Sequence, residues 1–409
     1  MSDTEAGPRD VVLLGSTGSI GTQALDVISS HPTRLRVAAL AAGGGNIGLL
    51  ARQCVDHRVP VVAVAAPVAD ELLEAIRALA PQLPPPTLLV GPDAAAEAAR
   101  LAPGGVVLNG ITGGVGLEPT LAALETGATL ALANKESLVV GGHLVAKALR
   151  RPGQIVPVDS EHSAIAQALA SGVHEKGLTS PVVTGRSEVA ALVLTASGGP
   201  FRGRTRADLA DVTPEQALAH PTWAMGPVVT INSSTLVNKG LELIEAHLLF
   251  DVAPERIVTT VHPQSIVHSM VTWVDGATTL QASPPDMRLP IALGLTWPER
   301  LDGVEDPLSW DAPQSWTFEP VDDETFGAVE LARRAVAESP THPTVYNAAN
   351  EVLVEAFVAG RLDWLGIVDC LFEVVESHEG VTDPDLGAIL DVQEWARARA
   401  AEAAARRGR

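Results

Sequence analysis

Near the beginning of the chain the sequence reads Val11-Val12-Leu13-Leu14-Gly15-Ser16-Thr17-Gly18-Ser19-Ile20-Gly21. An apolar strand that runs through glycines into a helix is typical of the first unit of a parallel sheet that binds a dinucleotide. The glycines permit a tight turn and let a pyrophosphate approach the backbone N–H groups at the helix N-terminus. The alternative, a plain glycine-lined turn, is less favoured because this strand opens an alternating pattern.

That pattern continues to residue 158. The predicted strands are 11–14, 36–41, 61–65, 87–90, 106–108, 129–133 and 154–158. Amphipathic or alanine-rich stretches lie between them, such as 23–30, 70–79 and 119–126. Short apolar strands that alternate with helices indicate a parallel sheet with crossover helices. The sequence therefore predicts an α/β protein whose residues 1–158 form a Rossmann-like dinucleotide-binding domain.

The rest of the chain is less regular. Residues 159–297 predict a central α+β domain with a buried strand at 189–195, and we assign no role to the Gly/Ser/Thr-rich connection 171–188. The prolines of 298–321 predict an extended linker. Residues 322–409 predict a C-terminal α-helical domain, and its alanine- and arginine-rich tail from Val392 to Arg409 predicts an exposed final helix that frays.

Size and charge limit the possible functions. The 409 residues suggest two or three domains. A net charge of -21 argues against nucleic acid or an anionic membrane as a partner. Two cysteines, a polar start without the features of a signal peptide, and no apolar run of about 20 residues lead us to expect an unprocessed, soluble, cytoplasmic protein.

The segment after the second predicted strand bears on the choice of dinucleotide. It reads Ala41-Ala42-Gly43-Gly44-Gly45-Asn46 and contains no acid. Proteins that prefer NAD usually place a carboxylate there to bind the ribose 2'-hydroxyl. Free backbone N–H groups without a carboxylate favour NADP, so we predict that Gly45 and Asn46 contact the cofactor.

Two polar motifs follow predicted strands. Asp159-Ser160-Glu161-His162 comes after 154–158, and carboxylates two apart on an extended segment point the same way and can hold a divalent cation. On this stretch alone helix capping is the favoured interpretation. Asn134-Lys135-Glu136-Ser137 lies at the carboxyl edge of the sheet, where Lys135 either binds a substrate hydroxyl or a ligand carboxylate, or forms a solvated pair with Glu136.

Two loops in the central region could face a substrate. Ser197 lies in a small-residue turn that could present its hydroxyl to a phosphate or could be only a turn. His220-Pro221-Thr222-Trp223-Ala224-Met225-Gly226-Pro227 places aromatic residues between prolines. Such a loop is either a core plug or a flexible lid near 220–228 that closes a site against water.

The stretch from Ile231 to Glu245 carries the strongest local signal. If a helix begins near Ser234, Asn238 and Glu242 lie four residues apart on one face, with Lys239 beside them. Ser233, Asn238 and Lys239 then offer donors to a phosphate, and Glu242 offers a carboxylate. A plain helix with a Lys239–Glu242 pair ranks second, because inward polar residues are costly without a ligand.

Taken in order, these motifs closely resemble the 1-deoxy-D-xylulose 5-phosphate reductoisomerase family. Further matches are His262-Pro263-Gln264-Ser265, Pro285-Asp286-Met287-Arg288 and Asn347-Ala348-Ala349-Asn350-Glu351. The resemblance implies an enzyme that needs NADPH and Mg2+ or Mn2+ and that converts 1-deoxy-D-xylulose 5-phosphate to 2-C-methyl-D-erythritol 4-phosphate in the non-mevalonate isoprenoid pathway. It also implies a homodimer.

The resemblance assigns roles residue by residue. The implied metal ligands are Asp159, Glu161 and Glu242, which with Lys135 are also the implied catalytic residues. The implied substrate contacts are Lys135, Ser160, Glu161, Ser197, His220, Ser233, Asn238, Lys239 and Glu242. The implied cofactor contacts are Thr17, Gly18, Ser19, Ile20, Asn134, Glu136 and Gly226, and Trp223 and Met225 resemble the family's lid.

One departure and two alternatives remain at this point. Family members often carry a lysine where this chain has Gly44-Gly45, which bears on how a 2'-phosphate is bound. An NADP-dependent semialdehyde or polyol-phosphate dehydrogenase would share the first domain but need no metal. A non-catalytic NADP-sensing regulator would keep the glycine turn and use the carboxylates only as helix caps.

Overall fold

The computed structural model describes residues 7–223 and 225–408. Within them the chain forms two compact units. Unit 1 contains 7–134, 147–163 and 286–306, and unit 2 contains 135–146, 164–223, 225–285 and 307–408. This division differs from the predicted boundaries at 158, 297 and 321, because 286–306 belongs with unit 1 and 135–146 with unit 2.

Unit 1 is built on one parallel sheet. Its strands are β1 (Arg9–Leu14), β2 (Leu35–Ala42), β3 (Val61–Val64), β4 (Thr87–Val90), β5 (Val106–Asn109), β6 (Thr129–Leu132) and β7 (Ile155–Pro157). They lie in the order β4-β3-β2-β1-β5-β6-β7, with every neighbouring pair parallel. Strands β2 to β4 lie on one side of β1, and β5 to β7 lie on the other. The strand order therefore reverses between β1 and β5, and this switch point is where such sheets bind ligands. The predicted Rossmann-like sheet is confirmed.

The described residues contain fifteen α-helices. They are α1 (Ser19–Ser30), α2 (Ile47–Asp56), α3 (Ala69–Leu79), α4 (Ala94–Ala99), α5 (Leu117–Glu125), α6 (Lys135–Ala148), α7 (Ser160–Leu169), α8 (Pro214–Leu218), α9 (Pro227–Ser234), α10 (Val237–Phe250), α11 (Arg288–Thr296), α12 (Ala328–Glu338), α13 (His342–Val358), α14 (Trp364–Glu376) and α15 (Leu386–Arg407). None of these helices is long and apolar enough to cross a membrane.

Helix α11 explains why 286–306 returns to unit 1. Residues Pro290 to Thr296 are all buried, so this helix must be covered by the sheet. A Cβ on Gly294 would lie 2.7 Å from Cγ2 of Val158, which places the helix backbone directly against the end of the β7 segment. Arg288 holds the start of this segment through Asp286, at 2.7 Å, and through Glu305.

Unit 2 contains a second, mixed sheet. Its strands are β8 (Val189–Ala196), β9 (Ile257–Val261), β10 (Val267–Trp273), β11 (Thr278–Ala282) and β12 (Glu319–Pro320), in the order β11-β10-β8-β9-β12. Only the β8–β9 pair is parallel. The predicted strand at 189–195 is β8, and the predicted helical region corresponds to α12 through α15, so the predicted fold class is confirmed.

The prediction that the final helix is exposed is wrong. Helix α15 begins at Leu386 and packs on α13 and α14. Its buried positions are Ile389, Val392, Gln393, Ala396, Ala400, Ala403 and Ala404, a spacing of three or four residues that forms one helix face. Alanine permits this close packing although it gives a weak hydrophobic signal in the sequence. Arg409 lies outside the described residues.

A histidine pair, His342 at the start of α13 and His378 just after α14, gives the stability of unit 2 a pH dependence. The rings of His342 and His378 lie 4.9 Å apart, and Nε2 of His378 is 2.8 Å from the hydroxyl of Thr341. Burial, and then His342, lower the pKa of His378 to about 4. The unfolded chain binds this proton near pH 6.5, so the free energy of unfolding falls as the pH decreases from about 6.5 to 4.

We expect His378→Asn to reduce this loss of stability between pH 7 and pH 4.5 by about 1–2 kcal/mol, after allowance for partial solvent screening. The measurement is urea unfolding of both proteins across this range. A variant whose free energy of unfolding depends on pH as strongly as that of the wild type would contradict the assignment.

Candidate active site

The glycine turn of unit 1 has the geometry of an anion-binding cradle. Gly15 has a φ of +82°, and a Cβ there would lie 2.7 Å from the carbonyl oxygen of Gly110. A Cβ on Gly21 would lie 2.3 Å from the carbonyl oxygen of Gly15, so both positions require glycine. Gly18 precedes α1 without a side-chain cap, and the first turn of α1 holds no acid. The N–H groups of this turn can therefore serve a pyrophosphate.

The loop after β2 is open. A Cβ on Gly43 or Gly45 would meet nothing within 4 Å, and the side chain of Asn46 caps α2 by accepting a hydrogen bond from Leu49 N at 3.1 Å. Residues 43–46 contain no acidic side chain that could repel an anion from their backbone N–H groups. This arrangement suits a 2'-phosphate better than a free ribose hydroxyl.

Asn134 closes the carboxyl end of the β6 strand segment. Its Nδ2 donates to the carbonyl oxygens of Ile111 at 2.6 Å and of Gly113 at 3.0 Å, and its side chain is buried. A Cβ on Gly116 would lie 2.5 Å from Oδ1 of Asn134. The side chain therefore fixes the loop after β5, beside the switch point, and its predicted contact with a cofactor stays a prediction.

The acidic motif of unit 1 lies at a strand-to-helix junction. The strand β7 ends at Pro157 and α7 begins at Ser160, and Ser163 N donates to the carbonyl oxygen of Asp159 at 2.8 Å. Asp159 and Glu161 therefore do not lie on an extended segment, and the expectation that alternation aligns them is wrong. A carboxylate oxygen of Asp159 and one of Glu161 nevertheless lie within 4.8 Å of each other. Ser160 donates a hydrogen bond to Glu161, and His162 Nδ1 lies 3.8 Å from Asp159 Oδ2.

Unit 2 brings two lysines to one carboxylate. Lys135 Nζ lies 3.0 Å from Oε1 of Glu242 and 3.0 Å from Oδ1 of Asn238. Lys239 Nζ forms an ion pair with Oε2 of Glu242, and Asn238 donates to Oε1. Lys239 is 4% exposed and Glu242 is 1% exposed, so both lie away from water, whereas Lys135 and Asn238 are partly buried. Lys135 therefore binds a carboxylate, and its side chain is only 13% exposed.

The helix of this cluster begins later than predicted. Leu236 has a φ of +58° and separates α9 from α10, which starts at Val237. Helix α10 therefore begins three residues after Ser234, and Ser233 lies in the last turn of α9. Asn238 and Lys239 lie in the first turn of α10, where the helix dipole adds to their attraction for an anion.

His220 and Ser197 lie together in unit 2. The backbone N–H groups of Trp223 and Thr222 donate to Nδ1 of His220 at 2.9 and 3.2 Å. Nδ1 is therefore the acceptor, and Nε2–H donates to the hydroxyl of Ser197 at 3.0 Å. Burial lowers the pKa of His220, which keeps the ring neutral at pH 7. The Ser197 hydroxyl can then direct its own proton towards a ligand.

The last residues of the predicted lid at 220–228 belong to a helix. Helix α9 begins at Pro227, and Gly226 is its N-cap. The ring of Trp223 contacts that of His268, with centroids 6.1 Å apart. Ala224 lies outside the described residues. The predicted lid motion and the contacts of Trp223, Met225 and Gly226 with ligands stay predictions.

The predicted residues fall into two sets. Unit 1 contains Thr17, Gly18, Ser19, Ile20, Gly45, Asn46, Asn134, Asp159, Ser160 and Glu161. Unit 2 contains Lys135, Glu136, Ser197, His220, Gly226, Ser233, Asn238, Lys239 and Glu242. Within unit 2 the structure joins Lys135, Asn238, Lys239 and Glu242 in one cluster and Ser197 with His220 in another. The shared metal site of Asp159, Glu161 and Glu242 stays a prediction.

Comparison with known proteins then decides the family. Residues 11–142 match the family described as 1-deoxy-D-xylulose 5-phosphate reductoisomerase. Residues 155–250 match the C-terminal domain of that family, and residues 282–399 match the DXP reductoisomerase C-terminal domain. The chain belongs to the 1-deoxy-D-xylulose 5-phosphate reductoisomerase family.

Individual relatives agree with this assignment to the reductoisomerase family. The 1-deoxy-D-xylulose 5-phosphate reductoisomerase of Beutenbergia cavernae is 62% identical over 393 residues, which cover 96% of each chain. The Zymomonas mobilis reductoisomerase in complex with NADPH has a TM-score of 0.85 at 37% identity and covers 97% of this chain and 99% of its own. DOX-P reductoisomerase in complex with NADPH, fosmidomycin and magnesium has a TM-score of 0.86 at 31% identity, with coverage of 97% and 98%. The predicted resemblance is confirmed.

Two buried polar residues of α9 and α10 are not among the residues that the sequence predicted for the site. Glu245 on α10 and Asn232 on α9 are both buried, at 0% and 5% exposure. Glu245 follows Glu242 by three residues, which is the spacing that could have marked it as a second inward carboxylate. Asn232 has no local signal, because its partner Asn350 is 118 residues away.

Proposed function

We propose that this chain converts 1-deoxy-D-xylulose 5-phosphate to 2-C-methyl-D-erythritol 4-phosphate, with NADPH and Mg2+ or Mn2+. Its membership of the reductoisomerase family carries the proposal. The glycine cradle of unit 1 supports it, because a dinucleotide needs an anion-binding turn for its pyrophosphate. The Lys135–Glu242 cluster of unit 2 also supports it, because a phosphorylated substrate needs cations.

The residues of unit 1 fit NADPH. Gly15 and Gly21 leave no room for a side chain between the glycine turn and α1, so the backbone itself forms the cradle for a pyrophosphate. We assign Thr17, Gly18, Ser19 and Ile20 to this group, and Gly45 and Asn46 to the 2'-phosphate. Asn134 and Glu136 would flank the nicotinamide end, and Gly226 would contact the cofactor from the lid.

The proposed metal ligands are Asp159, Glu161 and Glu242. Carboxylate oxygens are the donors that Mg2+ and Mn2+ prefer. In unit 1 the fit rests on two acids, Asp159 and Glu161, which lie two residues apart just after a strand, where open α/β folds bind ligands. A bound divalent ion would polarise the substrate ketone and acidify the neighbouring hydroxyl, and NADPH would supply the hydride.

The chain's own cations bind and orient the substrate in this proposal. Lys135, which lies 3.0 Å from Oε1 of Glu242, would act at the reacting end of the substrate as a catalytic residue, and Lys239 in the first turn of α10 would bind the phosphate. Asn238, Ser233, Ser197 and His220 would add neutral donors around it. Ser160 would contact the substrate near the metal. The phosphate is remote from the bonds that change, so its binding energy can position the reacting carbons.

We also propose a cytoplasmic homodimer. Cys54 and Cys370 are buried free thiols, and burial raises the pKa of each, which suits a reducing compartment. The dimer is proposed from the family resemblance. Sedimentation velocity at micromolar concentration would reject it if the protein sedimented as a monomer.

One assay tests the proposed reaction. Steady-state oxidation of NADPH with 1-deoxy-D-xylulose 5-phosphate should require Mg2+ or Mn2+, and excess EDTA should reduce the rate at least about a hundredfold because the ion stabilises developing charge. Full activity in EDTA would instead favour the metal-independent dehydrogenase. NADPH binding without any turnover would favour the regulator.

A further inference from the structure

Ser233 differs from its two neighbours in burial. Asn232 and Ser234 are 5% and 0% exposed, whereas Ser233 between them is only partly buried. Successive residues of a helix point about 100° apart, so the two neighbours project to either side of Ser233. Residues that fix these neighbours therefore also fix the direction of the Ser233 hydroxyl.

Two side chains of the C-terminal helices bind these neighbours. Asn350 Nδ2 on α13 donates to Oδ1 of Asn232 at 2.9 Å. Trp364 Nε1 at the start of α14 donates to the hydroxyl of Ser234 at 3.0 Å. Asn350 is 1% exposed and Trp364 is 2% exposed, so water cannot replace either donor.

Trp364 also contacts the loop that carries Ser197. Its ring meets that of Phe201 edge to face, with centroids 5.3 Å apart. In the same loop, a Cβ on Gly199 would lie 2.9 Å from the carbonyl oxygen of Ser233, so the loop backbone packs directly on Ser233. Trp364 therefore supports both segments that supply a serine hydroxyl.

We infer that Asn350 and Trp364 are positioning residues that hold Ser233 and the Ser197 loop in place for the phosphate group of the substrate. The inference rests on the proposed function. A hydroxyl contributes to phosphate binding only when its donor distance and angle are right, so a small rotation of α9 would weaken binding without touching the dinucleotide cradle. Of the Asn347-to-Glu351 motif, Asn350 alone thereby gains a role in substrate binding.

Two variants and two matched controls test this role. Asn350→Leu and Trp364→Phe each remove one donor and keep most of the side-chain volume. We expect each to raise both the KM for 1-deoxy-D-xylulose 5-phosphate and the inhibition constant of inorganic phosphate by about five- to tenfold, with the KM for NADPH unchanged.

The controls make the same chemical changes elsewhere in unit 2. Asn347→Leu alters the same helix at a buried amide that donates to Glu351 at 2.9 Å, and Trp395→Phe alters a tryptophan that packs on His378. Both controls should lower the melting temperature without changing either constant. Equal effects of Asn350→Leu and Asn347→Leu on the substrate KM would overturn the inference. An unchanged substrate KM in Trp364→Phe would also overturn it. Trp364→Phe keeps an aromatic ring in the core, so it decides the matter if Asn350→Leu fails to fold. If the wild-type protein did not turn over the substrate at all, the proposed function would fail instead.

Discussion

Glu242→Gln is expected to reduce kcat at least about a thousandfold while NADPH affinity stays within about twofold of wild type. The change removes one of three proposed carboxylate ligands and also removes the negative charge that Lys135 and Lys239 contact. A bound divalent ion supplies several kcal/mol of transition-state stabilisation, and about 4 kcal/mol corresponds to roughly a thousandfold in rate. Loss of the ion therefore accounts for the expected fall in kcat.

Three measurements separate the effects of this substitution. Single-turnover kinetics give the chemical rate, fluorescence titration gives NADPH affinity, and Mn2+ titration followed by electron paramagnetic resonance gives metal affinity. Glu351→Gln is the control, since it removes a carboxylate that pairs with Arg397 at 2.9 Å on the C-terminal helices. Turnover without added metal, or Mn2+ affinity equal to that of wild type, would refute the assignment of Glu242 as a ligand.

The sheet of unit 1 is predictable because its signals are local. Each strand is a short apolar run, and each crossover helix has its own periodicity, so all seven strands can be located from the sequence. The return of 286–306 to this unit has no local signal, because it depends on the fit of Gly294 against Val158. The same holds for α15, whose alanine face is hydrophobic only through close contact with α13 and α14.

The candidate site also combines features that local sequence predicts with features that depend on distant contacts. The glycine turn and the Asn238–Glu242 spacing are readable because they lie within a few residues. The contact of Lys135 with Glu242 spans 107 positions and depends on how α6 packs in unit 2. The left-handed residue Leu236, which ends α9 before α10 begins, is also unexpected, because nothing about leucine marks a positive φ. Sequence therefore gives the chemistry of the site better than its geometry.

Lys239→Ala is expected to raise the KM for 1-deoxy-D-xylulose 5-phosphate at least about tenfold and to leave the KM for NADPH unchanged. A charge-assisted hydrogen bond to phosphate is worth roughly 1.5–3 kcal/mol, or about 10- to 150-fold in affinity. Lys239 is 4% exposed in the first turn of α10, so water compensates little for its loss. The measurement is steady-state kinetics with both substrates varied, and Lys147→Ala, at an exposed position, is the control.

The ion pair between Lys239 and Glu242 makes this test more specific. If Lys239 served only to neutralise Glu242, its removal would free the carboxylate, raise Mn2+ affinity and leave the substrate KM unchanged. If it binds phosphate, the substrate KM rises, and Lys135, 3.0 Å from Oε1 of Glu242, continues to neutralise the acid. The two roles therefore predict opposite results for substrate and metal. An effect confined to NADPH affinity would contradict both and would place Lys239 beside the cofactor.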